Sequence, residues 1–217
     1  MTAFTGFPVA AFDFYDDLEA DNSRSWWTAH RTTYDECVRS PIVALADVLA
    51  PEFGEAKVYR PHRDVRFSKD KTPYKTHQGA FVSFADGVGF YVQVSAAGLL
   101  TGAGWRPKGE QILRYREAVS GPSGAQLAAL VTDVERQGFA IDGDRLATRP
   151  RGTAPGHPRE DLLRHKTLFA KREHGTPDWL SSPAAAEKVR DDWTLLRPLV
   201  QWLADHVGPG DAAPGRR

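Results

Sequence analysis

The sequence lacks the features that mark several common classes of protein. It has one cysteine, Cys37, so a disulfide within the chain and a zinc site built on cysteines are both excluded. No apolar run approaches the roughly 20 residues that a membrane-spanning helix needs. The chain has 28 basic residues (Lys and Arg) and 28 acidic residues (Asp and Glu), so its formal net charge is zero. This balance argues against a strongly basic nucleic-acid binder and a disordered polyelectrolyte.

Familiar catalytic motifs are also absent. The sequence has no G-x-S-x-G nucleophile elbow, no Walker loop, no dinucleotide fingerprint and no H-E-x-x-H zinc motif. We therefore expect no cofactor and no bound metal. The N-terminus lacks the basic start and apolar block of a signal peptide, which predicts a soluble, cytoplasmic protein with no membrane partner.

What remains is the composition of a globular protein. The chain has 217 residues, of which 41% are hydrophobic, enough to bury a core. Closely spaced strand patterns between residues 57 and 105, with a turn signal at Asp86-Gly87, predict an antiparallel sheet. Apolar residues at the spacing of a helix precede and follow these strands. We predict one α+β domain over residues 1–207, its central, mainly antiparallel sheet flanked by N-terminal and C-terminal helices, and a flexible tail over 208–217.

Three segments give local predictions of secondary structure. Residues 57–67 alternate between apolar and polar side chains, as in a strand. Residues 139–146 surround Asp142-Gly143 and predict a second hairpin. A helix is predicted to begin at Pro158 and to carry Leu162, Leu163 and Leu168.

Charge is unevenly distributed along the chain. Residues 1–55 hold 10 acidic and 3 basic side chains, whereas residues 57–77 hold 7 basic and 2 acidic ones. Arg60, Asp64 and Arg66 share one face of the predicted strand, where the carboxylate could bridge the two guanidiniums. Arg63 falls on the apolar face, so it needs either a partner or a bulge in the strand.

The same segment carries a longer motif. Eight residues fit the pattern Arg-x-x-Arg-Asp-x-Arg-Phe followed by Asp-Lys-x-x-Tyr: Arg60, Arg63, Asp64, Arg66, Phe67, Asp70, Lys71 and Tyr74. This pattern resembles the signature of the domain-of-unknown-function family 2461, a family of bacterial and some fungal proteins of about this length. The resemblance implies a bacterial or fungal family grouping and no particular reaction.

The basic segment predicts a site for an anion, such as the phosphate or carboxylate group of a small molecule. The candidate binding residues supply positive charge, polar side chains or backbone that a ligand can approach: Arg60, Arg63, Arg66, Lys69, Lys71, Lys75, Tyr91, Gln93, Gly102 and Gly104. The balanced net charge argues against nucleic acid as the ligand.

Tyr74, His77 and Asp64 are the candidate catalytic groups. Tyr74 lies between Lys71 and Lys75, whose charges would lower the pKa of its hydroxyl, although packing would equally explain a tyrosine here. Nearby arginines should lower the pKa of Asp64, which suits an orienting role better than that of a base at neutral pH. Whether the protein is an enzyme stays open. In the alternative, the Arg–Asp network is structural, ties the sheet to the acidic N-terminal helices, and leaves function to protein partners.

Overall fold

The computed structural model describes residues 3–66 and 69–210, and it shows an α+β chain. The helices before the sheet are α1 (Ala10–Ala20), α2 (Arg24–Ala29), α3 (Arg31–Thr33), a π-helical segment (Tyr34–Arg39) and α4 (Ser40–Phe53). Those that follow are α5 (Gln111–Ser120), α6 (Ser123–Arg136), α7 (Glu160–Arg164), a 3-10 turn (Asp178–Ser181) and α8 (Ala184–Val207). Within the described ranges, no helix is long and apolar enough to cross a membrane.

The sheet is antiparallel and has six strands. They are β1 (Ala56–Val58), β2 (His77–Ala85), β3 (Val88–Ser95), β4 (Gly98–Trp105), β5 (Ala140–Asp142) and β6 (Leu168–Gly175). Their order across the sheet is β1-β2-β3-β4-β6-β5. Ala56 lies opposite Val82 in the β1–β2 pair, and Ala140 lies opposite Lys171 in the β5–β6 pair. The predicted α+β class and antiparallel sheet are confirmed.

The chain divides into two compact units. The first contains the residues up to Val82, Tyr91–Thr101 and Glu173–Asp192. The second contains Ser83–Phe90, Gly102–Arg172 and the residues from Trp193 onward. The predicted single domain over residues 1–207 stays a prediction, and residues 211–217 of the predicted tail lie outside the described residues.

The core of the first unit is rich in aromatic rings. Phe14 on α1 packs against Tyr15, Trp26, Trp27 and Tyr34, with ring centroids between 5.2 and 5.8 Å apart. Edge and tilted packing of this kind stabilises a core beyond the burial of apolar area alone. The helices that follow α1 therefore present their aromatic side chains to one shared cluster.

The second unit has its own core, built around strand β4 and helix α5. Trp105 and Tyr115 are both fully buried, and their ring centroids are 4.7 Å apart. The Tyr115 hydroxyl donates a hydrogen bond of 2.9 Å to the Leu162 carbonyl oxygen. This bond satisfies a polar group that would otherwise be costly to bury.

Three local predictions are wrong in detail. The regular strand predicted over residues 57–67 ends at Val58. The residues predicted as a hairpin around Asp142-Gly143 do not pair with each other, because β5 pairs with β6. The helix predicted to begin at Pro158 covers only Glu160–Arg164, because the backbone becomes extended at His165 and Leu168 begins β6.

Candidate functional site

The basic segment forms an arm that continues the β1–β2 pair. Three backbone hydrogen bonds extend the pairing beyond Val58: Tyr59 N–H to Gly79 O (3.0 Å), Lys75 N–H to Pro61 O (2.8 Å) and Arg63 N–H to Pro73 O (2.9 Å). We call residues 59–79 the basic arm and residues 64–72 its tip. The arm holds six Lys and Arg side chains but only two carboxylates, Asp64 and Asp70.

A change of register explains why the predicted strand is irregular. Tyr59 pairs with Gly79, and the next bridge joins His62 to Tyr74. The first segment therefore advances three residues between the two pairs, whereas the second advances five. The two extra residues form a bulge, which breaks the regular ladder. The predicted alternation nevertheless survives in the side chains, because residues 60, 62, 64 and 66 are exposed whereas 61, 63 and 65 are half-buried.

The arm is anchored to the first unit at Tyr74. The Asn22 side chain binds the Tyr74 backbone twice: its Nδ2 donates to the carbonyl oxygen at 3.0 Å, and its Oδ1 accepts from the N–H at 3.1 Å. The Tyr74 ring, which is buried, stacks on Trp27 with a centroid distance of 4.1 Å and an angle of 8°. Tyr74 therefore packs in the core, and its hydroxyl has no hydrogen-bond partner among the described residues.

A second anchor lies where β2 begins. The Tyr34 hydroxyl donates to Gln78 Oε1 at 2.6 Å, and Gln78 Nε2 donates to the carbonyl oxygens of Tyr59 (2.7 Å) and Gly79 (3.0 Å). Burial raises the pKa of the Tyr34 hydroxyl to about 12, so it stays a hydrogen-bond donor. Sequence reasoning missed this network and Asn22, because the partners lie far apart in the chain.

The two carboxylates of the arm are used at its tip. Arg63 pairs with Asp70 and also donates to Thr72 Oγ1 at 2.6 Å, which gives this arginine the partner that its half-buried position requires. Arg66 pairs with Asp64 through two hydrogen bonds of 2.9 and 2.6 Å. Asp64 thus hydrogen-bonds to Arg66 and feels Arg60 only at longer range, rather than bridging the two as predicted.

These pairs keep both carboxylates ionised. Hydrogen bonds from Arg66 lower the pKa of Asp64 to about 2, and hydrogen bonds from Thr72 and Arg63 lower the pKa of Asp70 to about 2. A carboxylate with such a low pKa is a weak base at neutral pH. Asp64 is therefore poorly suited to act as a base, and its predicted orienting role stays a prediction.

The inner part of the arm carries positive groups without acidic partners. We call Arg60, Lys75 and His77 the inner cation cluster, because none of the three forms an ion pair with a described residue. The Lys75 ammonium lies over the Tyr59 ring, 5.2 Å from its centroid. Burial lowers the pKa of Lys75, and the charge of Arg60 lowers it further. Burial also lowers the pKa of His77, as do the charges of Lys75 and Arg63.

The other predicted binding residues of the first unit lie in two places. Lys69 and Lys71 are exposed at the tip, where Lys71 Nζ donates to the Val65 carbonyl oxygen at 3.0 Å. Tyr91 lies on β3 with its ring 6.5 Å from Tyr59, and its hydroxyl donates to Gln93 Oε1 at 2.9 Å. Tyr91 and Gln93 therefore flank the side of the arm that carries Lys75.

Gly102 and Gly104 lie in the second unit, on β4. A Cβ atom at Gly104 would lie 2.1 Å from the Leu168 carbonyl oxygen, and one at Gly102 would lie 2.7 Å from that of Ala170. Both glycines are therefore explained by the close approach of β6. Their contact with a ligand stays a prediction.

No cluster of three histidine, cysteine or carboxylate side chains that could hold a metal ion occurs in residues 3–66 and 69–210. The arm is open to solvent along the exposed side chains of Arg60, His62 and Arg66. A cleft of about 280 Å³ in the first unit lies among other residues, including Phe4, Glu36 and Ser181. The arm can therefore present charge to a ligand at its surface rather than enclose it.

Comparison with known families identifies the family of this chain. Residues 10–202 match the model of a family described as a conserved hypothetical protein, DUF2461. The chain belongs to this family. The matched residues include the whole basic arm of this DUF2461 protein, although Phe67 of the motif lies outside the described residues. None of the curated proteins compared with the chain matches it.

Proposed function

We propose that this DUF2461 protein binds a small molecule bearing a phosphate or carboxylate group at the inner cation cluster. The observation that carries the proposal is the absence of any acidic partner for Arg60, Lys75 and His77 among the described residues. Both carboxylates of the arm are already engaged with Arg63 and Arg66. A bound anion would supply the missing counter-charge.

Electrostatics favours an anion at this position. Partial burial and neighbouring positive charge each penalise the charged form of Lys75. An anion placed between Lys75 and Arg60 would offset both effects, and a guanidinium can bind a phosphate or carboxylate through two parallel hydrogen bonds. Tyr59 and Tyr91 would form an aromatic wall beside the bound group.

A chemical step on the bound molecule would need a proton-transfer group, and His77 suits that role best. Its lowered pKa keeps the imidazole neutral at pH 7, so that it can accept a proton. Tyr74 suits it less well because its ring is buried against Trp27. Binding is therefore the primary proposal, and catalysis by His77 is its extension.

A thermal-shift screen at low salt tests the binding proposal. Phosphate, sugar phosphates, nucleotides and dicarboxylates would be compared on the wild type, on Arg60→Ala and on Arg66→Ala. A ligand at 100 times its dissociation constant adds about 2.7 kcal/mol, which raises Tm by roughly 5–11 °C for a chain of this size. The shift should disappear in Arg60→Ala and persist in Arg66→Ala, because Arg66 is also exposed but is paired with Asp64.

Imidazole NMR locates the ligand. An anion at the inner cation cluster should raise the pKa of His77, because it counteracts the positive charges of Lys75 and Arg63. A wild type that responds to none of the anions would contradict the proposal. Equal loss of the shift in both arginine variants would assign binding to the charge of the whole arm instead.

The second candidate function is a non-enzymatic arm that acts through a protein partner. The pairing of Arg63 with Asp70 and of Arg66 with Asp64 favours it, because these pairs hold the tip in shape. Under this alternative, Arg60→Ala changes no anion response. Arg63→Ala then loosens the tip, which faster amide exchange at residues 64–72 would reveal.

A further inference from the structure

A buried polar cluster in the first unit lies outside the basic arm. It joins three residues of this unit: Thr101 on β4, His174 near the end of β6 and Asp192 on α8. Asp192 Oδ2 accepts hydrogen bonds from the Thr101 hydroxyl and, at 2.9 Å, from His174 Nε2. Thr101 and Asp192 are at most 2% exposed, and the His174 side chain is 10% exposed.

The contacts assign the tautomer of His174. A carboxylate oxygen can only accept, so Nε2 carries the proton that it donates to Asp192. In the neutral ring, the other nitrogen, Nδ1, then carries the free lone pair. Nδ1 has no hydrogen-bond partner among residues 3–66 and 69–210, and it is not among the fully buried unpartnered atoms of these residues. A basic nitrogen is thus held at the edge of the cluster, where solvent can reach it.

A purely structural cluster does not need this combination of groups. A buried carboxylate is costly to desolvate, and an amide would accept the same two hydrogen bonds without a full charge. The carboxylate has one capability that the amide lacks, since it stabilises a positive charge that forms on the imidazole. The Trp179 ring packs edge-on against His174 at 5.3 Å and limits the motion of the imidazole.

We propose that His174 is a proton-transfer group and that Asp192 is its positioning residue. Nδ1 takes the proton of a hydroxyl-bearing substrate or of a water molecule. The O–H bond breaks, its electron pair stays on oxygen, and the new N–H bond places a positive charge on the imidazole beside Asp192. This function is independent of anion binding at the inner cation cluster.

Nitrogen-15 NMR of the imidazole rings tests the assignment directly. In the neutral form of the ring, the wild-type spectrum should show the Nε2–H tautomer of His174. In Asp192→Asn the amide can donate as well as accept, so that the spectrum should show a mixture of tautomers or the opposite one. A neutral wild-type His174 that carries its proton on Nδ1 would overturn the proposal.

Chemical reactivity tests whether Nδ1 is accessible and basic. Diethyl pyrocarbonate acylates unprotonated imidazole nitrogens, and mass spectrometry would map the modified histidines. His174 should react in the wild type, and Asp192→Asn should slow its reaction, because the amide can donate to Nε2 and so leave the proton of the ring on Nδ1. His165, which is buried with its Nδ1 bonded to a backbone carbonyl oxygen, provides the slow internal reference.

Thr101→Val separates a proton-transfer role from a structural one. This variant keeps the side-chain volume and leaves the pairing of Asp192 with His174 in place, so His174 should react at the wild-type rate even if the protein is less stable. Equal slowing in Thr101→Val and Asp192→Asn would assign the cluster to stability alone. If Asp192→Asn fails to fold, an unreactive His174 in the wild type still overturns the proposal.

Discussion

Replacing Asn22 with alanine should release the basic arm from the aromatic core. The substitution removes both hydrogen bonds to the Tyr74 backbone and leaves its N–H and carbonyl oxygen without their partner. Each such bond contributes about 0.5–1.5 kcal/mol, and unpaired backbone groups in a buried residue add to the loss. We expect Asn22→Ala to lower the free energy of unfolding by about 2–3 kcal/mol, or Tm by roughly 5–10 °C.

Denaturant and thermal unfolding measure this loss, and hydrogen exchange locates it. The Tyr74 amide should exchange faster in Asn22→Ala, because its acceptor is gone. Ser25→Ala is the matched control: it removes one exposed hydrogen bond, between the Ser25 and Ser23 hydroxyls, in the same part of the chain. An Asn22→Ala protein as stable as Ser25→Ala, with a protected Tyr74 amide, would refute the idea that this clamp anchors the arm.

Three further predictions concern single groups. Tyr34→Phe leaves Gln78 Oε1 without its donor, so it should lower the free energy of unfolding by about 1–3 kcal/mol in a denaturant titration. The pKa of His77 is lowered below 6.5 in the folded state, so the unfolded chain binds more protons at acidic pH. The free energy of unfolding should therefore fall as the pH drops through about 6.5. His77→Gln should make this loss of stability between pH 7 and pH 5 smaller. Gly104→Ala forces a Cβ atom to within 2.1 Å of a carbonyl oxygen of β6, so it should lower the free energy of unfolding by about 3 kcal/mol. Gly121→Ala, whose closest contact is 3.3 Å, should lower it much less, and thermal melts of the two variants would measure the difference.

The sequence predicts the architecture well because the architecture depends on local patterns. Short alternating segments separated by turn signals specify antiparallel strands, and the tight turn at Asp86-Gly87 lies where the pattern puts it. The strand over residues 57–67 fails for a reason that alternation cannot reveal. Its partner strand carries two extra residues between Tyr74 and Gly79, and this bulge depends on the pairing rather than on either segment alone.

The candidate site was only partly predictable for a similar reason. The basic residues of the arm stand out by their number, and the need of Arg63 for a partner follows from its position in the alternation. The anchors were not predictable, since Asn22 and Tyr74 are 52 residues apart and Tyr34 and Gln78 are 44 apart. His174 has no motif around it, because its partners Thr101 and Asp192 come from two other elements of the chain.

The distribution of charge within the arm favours a ligand site over a purely structural role for the basic motif. If the arginines served only to hold the segment together, the carboxylates would be shared among all the cations. Instead both carboxylates lie at the tip, where they pair with Arg63 and Arg66. Lys75 and His77 of the inner cation cluster lie between Tyr74 and Gln78, the two positions at which the arm is anchored. Positive charge that no carboxylate of the arm offsets favours a ligand, because a bound anion would supply the missing counter-charge.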